Sequence, residues 1–359
     1  MSVLYGKTTP VPSAYAGLAD FVLDLSADRP LRILQLTDMQ IIDASQQRTP
    51  DRLNPREIDL WQPASIPVQC TDQIRSLVAQ TTPDLIFITG DVIYGEFDDS
   101  GASMDLFCHF MDSLGVPWAP VYGNHDNESR RGIDWQNSRF EAADLCLFRR
   151  GTVTGNGNYS VLITREGKPA RVMYLMDSGA CMGSPDPSVR RGPGFGEDQY
   201  TWLYTTAHRL AEVNGGIPVS GFLGFHIPCF QFHRAAVEKG YQTSDEHEKY
   251  VIGVTVPARD GDFGCKREPL GCFATPEDFV EQLRKAGVDG VFVGHCHAIN
   301  TSILWQGIRW TYGLKTGQYD YHTPGQVGGT LITLNGESFT VHHIPALVPM
   351  AEAPNPPRH

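Results

Sequence analysis

The chain has 359 residues, 41% hydrophobic and 19% charged, which is enough apolar material for a large core and excludes a disordered chain. Its 36 glycines and 25 prolines exceed the combined average usage of about 12% and argue for many turns rather than a helical bundle. A net charge of −12 excludes an extended nucleic-acid groove, which needs a basic surface.

Residues 31–36 (LRILQL) form a short apolar run that ends at Thr37 and Asp38, as a buried strand running into a loop does. The pattern recurs. Residues 85–89 (LIFIT) end at Gly90 and Asp91, 118–122 (WAPVY) at Gly123 and Asn124, 222–225 at His226, and 291–293 at Gly294 and His295. Each strand delivers a polar, metal-capable residue at its C-terminal end, where open α/β sheets place their ligands.

Helices are expected between these strands at 70–80, 104–114, 196–214 and 276–286, the last opened by Thr275 as N-cap. After His297 the pattern turns to alternation at 302–305, 308–312, 329–334 and 338–343, with an Asn335-Gly336 hairpin turn. These four segments are expected to form the second sheet of a sandwich. The polar stretches 43–67, 127–157, 178–196 and 242–272 exceed ordinary connectors and are read as walls or lids of a pocket.

No apolar run reaches the ~18 residues of a membrane helix, and no basic stretch followed by an apolar block opens the chain. The expectation is a cytoplasmic protein with no membrane partner. Eight cysteines (Cys70, Cys108, Cys146, Cys181, Cys229, Cys265, Cys272 and Cys296) show no CxxC pair and are expected as free thiols.

Taken singly, Asp38 or Asp91 could cap a helix or close a turn. As a set, Asp38, Asp91, Asn124, His226, His295 and His297 comprise oxygen and imidazole donors only, the mix that suits zinc, manganese or iron. Two carboxylates and three imidazoles suffice for two ions if one carboxylate bridges them.

The ordered series of Asp38, Gly90-Asp91, GNHD at 123–126, His226 and GHCH at 294–297 resembles the calcineurin-type metallophosphoesterases. The resemblance implies an α/β fold, a calcineurin-like four-layer sandwich of two mixed β-sheets flanked by helices. It also implies dinuclear metal-dependent hydrolysis of a small phosphorylated substrate, a phosphomonoester or phosphodiester. Asp91 would bridge both ions, Asp38 and His297 would serve the first, and Asn124, His226 and His295 the second. His125 would face the leaving group as general acid or hydrogen-bond donor, and Asp126 would orient it. Asn124, His125 and His233 would contact the phosphate, with Lys315 and His322 as weaker candidates.

The first motif departs from the family's usual Asp-any-His, because Gln40 stands where the imidazole is expected. The second motif reads GDVIY, and Tyr94, three residues past Asp91, makes the chain similar to the small purple acid phosphatases, where such a tyrosine is a phenolate ligand to ferric iron. That resemblance implies iron at the first position with iron, zinc or manganese at the second. The alternative is a Gln40 amide oxygen on one of two divalent ions, manganese or zinc. Two other functions compete: di-iron oxidative or biosynthetic chemistry on the same scaffold, and a non-catalytic, metal-stabilised scaffold.

Because residues from Asp38 to His297 must converge on one centre, residues 31–345 are expected as a single catalytic domain. They would be preceded by an N-terminal extension (1–30) and followed by a flexible Pro-rich tail (346–359).

Overall fold

The computed structural model describes residues 3–25, 29–46, 58, 61, 63–95, 97–180, 190–241 and 249–347. Two sheets carry the fold. The first contains β3 (Leu31–Leu36), β4 (Leu85–Thr89) and β5 (Trp118–Val121), each a continuous apolar run of the kind found in strands buried on both faces. These three run parallel, and β14 (Gly328–Asn335) and β15 (Ser338–Pro345) extend the sheet antiparallel from β3, in the order β15-β14-β3-β4-β5.

The second sheet has eight strands. Its order is β1 (Val3–Tyr5), β2 (Phe21–Leu25), β6 (Tyr159–Arg165), β7 (Lys168–Leu175), β8 (Gly221–Gly224), β11 (Val288–Val293), β13 (Ile308–Tyr312) and β12 (Ser302–Trp305). Strands β7, β8, β11 and β13 run parallel. The remaining strands, β9 (Tyr250–Ile252) and β10 (Gly264–Lys266), form a separate hairpin-like pair.

Helix α1 (Ile66–Thr81) covers β3 and β14, while α2 (Ala102–Ser113) packs on α1 and on α3 (Ile133–Ala142). On the other side α5 (Phe230–Glu238) lies on β12 and α6 (Phe279–Lys285) on β11, with α4 (Glu197–Val213) in the same apolar cluster. The sheets face each other through Phe87 and Phe292, rings 6.0 Å apart and nearly perpendicular, a favourable edge-to-face contact. The buried Gln35 amide bridges them, donating to Thr89 Oγ1 and to the Val293 carbonyl. The C-terminal ends of β3, β4, β5, β8 and β11 therefore meet at one rim.

Three expectations are corrected. The strands after His297 do not form the second sheet by themselves: β12 and β13 join β11, whereas β14 and β15 join β3. Residues 1–30 do not stand outside the fold, since β1 and β2 complete the edge of the larger sheet. Thr275 is not the cap of α6, which starts at Phe279; its hydroxyl instead accepts a hydrogen bond from Gln231. The β6–β7 hairpin and α5 were not anticipated, and α3 lies inside a stretch read as loop. Seven cysteines are free among the described residues. Cys181 and most of the Pro-rich tail lie outside them.

Candidate metal centre

Three of the ligand-bearing strands, β3, β4 and β11, turn sharply at the rim, where Asp38, Asp91 and His295 adopt positive φ of 51°, 51° and 73°. Such conformations are strained for residues with a Cβ and persist only where the surroundings fix them. Two glycines make the approach possible. A Cβ on Gly123 would collide with the Asp91 carboxylate, and one on Gly294 with the Thr37 hydroxyl.

Oxygen and nitrogen donors of Asp38, Asp91 and His297 lie within 4.8 Å of one another, all three residues buried. The Asp38 carboxylate accepts from the Thr37 hydroxyl (2.7 Å) and from the His295 backbone N–H (3.1 Å), and its Oδ1 lies 3.4 Å from His297 Nε2. Asp91 Oδ1 accepts the His125 N–H at 2.9 Å, while its Oδ2 lies 3.3 Å from His226 Nε2. A second group adjoins the first. Asn124 Oδ1 lies 3.0 Å from His226 Nε2 and 2.9 Å from His295 Nδ1. Asp91 is common to both groups.

The donor chemistry calls for cations here. His226 Nδ1 sits 2.7 Å from the Thr89 carbonyl and His297 Nδ1 3.0 Å from the Tyr321 carbonyl. A carbonyl accepts only, so each of these nitrogens carries the proton, and in the neutral imidazole the Nε2 lone pair faces inward. In that neutral form the lone pairs are aimed, with the oxygens of Asn124, Asp91 and Asp38, at shared positions that a cation can occupy. Fixing a ligating imidazole through its other nitrogen is also how metal sites orient histidine.

Without an ion between them, a proton on His226 takes the place of the cation. Burial opposes ionisation of Asp38 and Asp91, yet the adjacent imidazoles hold both below the usual carboxylate range. Burial works against charging His226 as well, but the Asp91 carboxylate raises its pKa to about 9. Its neighbour His295 is lowered to about 3, by burial and then by the charge on His226.

His125 stands beside this group with its Nδ1 2.7 Å from Glu128 Oε2. Burial opposes its charged form, but Asp91 and Glu128 raise its pKa to about 9. Asp126 does not orient His125, contrary to expectation. Its two oxygens accept the backbone N–H groups of Gly123 (2.8 Å) and Ile93 (3.0 Å), tying together the loops that carry Asn124 and Asp91. Chain geometry explains the exchange: Asp126 points inward at the start of a 3₁₀ turn, Asp126–Glu128, whose end brings Glu128 back to His125.

Gln40 Oε1 accepts from the buried Lys315 ammonium at 2.7 Å, and its Nε2 is buried with no hydrogen-bond partner among the described residues. Tyr94 is buried, its ring 4.2 Å from that of His125 and tilted by 31°, in a cluster with Ile42, Ile66 and Tyr319. His233 lies on α5 and stacks on the exposed Phe230. His322 is buried, its pKa lowered to about 4 by burial and then by Lys315.

Sequence reasoning missed Glu128 and a second supporting set. Tyr321 lays its ring 4.5 Å from that of His297, and its hydroxyl donates to Glu268, which also accepts the Ala298 N–H. Glu268 comes from a long polar loop, and no local signal links it to the GHCH motif. A cavity of about 950 Å³ lined by Asp20, Thr154, Trp202 and Arg209 contains none of the donor residues, so chemistry rather than size locates the site.

Two mixed sheets that deliver two adjoining donor groups sharing one aspartate define a dimetal phosphoesterase scaffold. Residues 31–298 match the family of calcineurin-like phosphoesterases, and the chain belongs to that family. It is 26% identical over 341 residues to probable inactive purple acid phosphatase 14 of Arabidopsis thaliana, covering 85% of this chain and 74% of that protein. It is 24% identical to probable inactive purple acid phosphatase 29 of the same plant, covering 85% and 76%. In fold it is similar to a dimetal phosphatase from Danio rerio, with a TM-score of 0.53, 12% identity, and 89% and 98% of the two chains covered.

Proposed function

We propose that this chain hydrolyses a small phosphate ester, monoester or diester, at a pair of metal ions held by Asp38, Asp91 and His297 on one side and Asp91, Asn124, His226 and His295 on the other. The observation that carries the reading is the convergence of the buried donors of Asp38, Asp91 and His297, within 4.8 Å of one another, with Asn124, His226 and His295 gathered beside Asp91. When bound, the ions supply Lewis acidity and lower the pKa of water in their shell, and they reverse the acidic field locally for an anionic substrate.

The protein's part is to hold and to protonate. Asn124 and His125 line the phosphoryl position. Glu128 fixes His125 through Nδ1, leaving Nε2 as the nitrogen that donates to the leaving-group oxygen. Asp126 keeps the Asp91 and Asn124 loops in register.

Two divalent ions, manganese or zinc, fit the charge best, because the Lys315 ammonium beside Asp38 offsets one anionic charge at the first position. The burial of Tyr94 next to His125 supports a second reading, with Tyr94 as phenolate ligand to ferric iron and iron, zinc or manganese beside it. The relatives' names raise the reading of a non-catalytic scaffold. Against it stand the intact GNHD and GHCH motifs and both donor groups.

No described helix is long and apolar enough to cross a membrane. Replacing Asp91 or Asn124 by Ala is expected to lower hydrolysis of an aryl phosphate by at least ~10²-fold. Full activity in both variants would reject the reading.

A further inference from the structure

Among the described residues, the rim holds a buried cation, Lys315, that has no part in the proposed hydrolysis. Residues 313–317 (GLKTG) follow β13 and lie along the first-motif loop: Thr316 N–H donates to the Thr37 carbonyl (2.8 Å), Gly317 N–H to the Asp38 carbonyl (3.2 Å), and Thr37 N–H to the Thr316 hydroxyl (3.1 Å). At Gly317 a side chain would collide with the Met39 backbone, so only glycine allows this approach. The segment delivers Lys315, 2% exposed, whose Nζ donates to the Asp38 carbonyl at 2.8 Å and to Gln40 Oε1 at 2.7 Å. Burial lowers its pKa, while the charges of Asp38, Asp320 and Asp91 act to keep it an ammonium.

From this we infer that Lys315 is a built-in counter-charge that competes with the ion at the first position, so that the chain loads its ions in order, the second position tightly and the first weakly. The inference rests on the two-ion reading above. Two features argue for it. The first position lacks the imidazole that residue 40 would supply in the usual motif, and holds Asp38, His297 and a share of Asp91. The second keeps Asn124, His226, His295 and its share of Asp91. In addition, an ammonium held in the interior repels a nearby cation far more strongly than one in water. While the first position is empty, the same ammonium balances the buried carboxylates.

The test is a calorimetric titration of chelator-treated, full-length protein with zinc chloride, with bound zinc counted by mass spectrometry. The wild type is expected to bind in two steps at least ~10-fold apart. Lys315→Met removes the charge, and Lys315→Gln removes it while keeping a hydrogen-bond donor. In both, the weak step is expected to tighten at least ~10-fold with the tight step nearly unchanged, and the zinc-free protein to melt at a lower temperature. Should Lys315→Met fail to fold, Lys315→Gln carries the test. An unchanged or loosened weak step in the folded variants overturns the inference and makes Lys315 a clamp on Gln40. A wild type that takes up no zinc rejects the two-ion reading itself.

Discussion

His125 and Glu128 form a pair across one short 3₁₀ turn, with Nδ1 2.7 Å from Oε2 and both side chains about one-fifth exposed. The carboxylate fixes which imidazole nitrogen faces the site. Loss of the imidazole in His125→Ala is expected to lower kcat by ~10²–10⁴-fold, the usual contribution of a positioned acid. Glu128→Gln is expected to lower kcat less and to add little to His125→Ala, because it acts only through that ring. Steady-state kinetics of both single variants and the double variant check this. Fully additive losses would separate Glu128 from His125.

Asp126 contributes to stability through a different route. Its carboxylate accepts two buried N–H groups from separate loops, and an amide in its place turns an N–H₂ toward one of them. Asp126→Asn is expected to lose about 1–3 kcal/mol of unfolding free energy, the cost of leaving a buried donor unpaired. Urea denaturation measures this. Unchanged stability would mean that the two loops hold their register unaided.

The five rim strands and the metal donors are legible in the sequence because each is a local event, an apolar run followed by one polar residue. Helices α1, α2 and α4 follow for the same reason. What was not legible depends on distant chain. Glu128 replaced Asp126 because side-chain direction within a three-residue turn is decided by packing, and Lys315 met Gln40 across 275 residues. The β12–β15 strands alternate alike, so pattern alone could not divide them between two sheets. The β1 and β2 strands read as an extension because their partner β6 was itself unrecognised.

His343 gives the fold a pH dependence. Its Nδ1 accepts from the Thr330 hydroxyl and its Nε2 donates to the Asn300 carbonyl, a pattern that suits the neutral ring. Burial lowers its pKa from 6.5 to about 4, against the pull of the Asn300 carbonyl. The unfolded chain therefore binds this proton first. The contribution is complete above pH 6.5 and is lost as pH falls toward 4. The urea midpoint of the wild type is expected to drop over this window, and His343→Gln to drop less. Equal slopes would contradict the assignment.

Colour separates the two metal readings. With two divalent ions the purified protein is expected to be colourless, and Tyr94→Phe to bind the same two ions. A violet protein whose visible band disappears in Tyr94→Phe would establish the phenolate–iron reading instead.

The most direct test of the account strips the full-length protein with a chelator, restores manganese or zinc stepwise, and follows aryl phosphate hydrolysis against ions bound per chain. Activity is expected to rise with the second ion bound and to stay absent in Asp91→Ala at every loading. Wild-type protein carrying two ions with no hydrolysis above buffer on aryl monoesters or diesters would contradict the account.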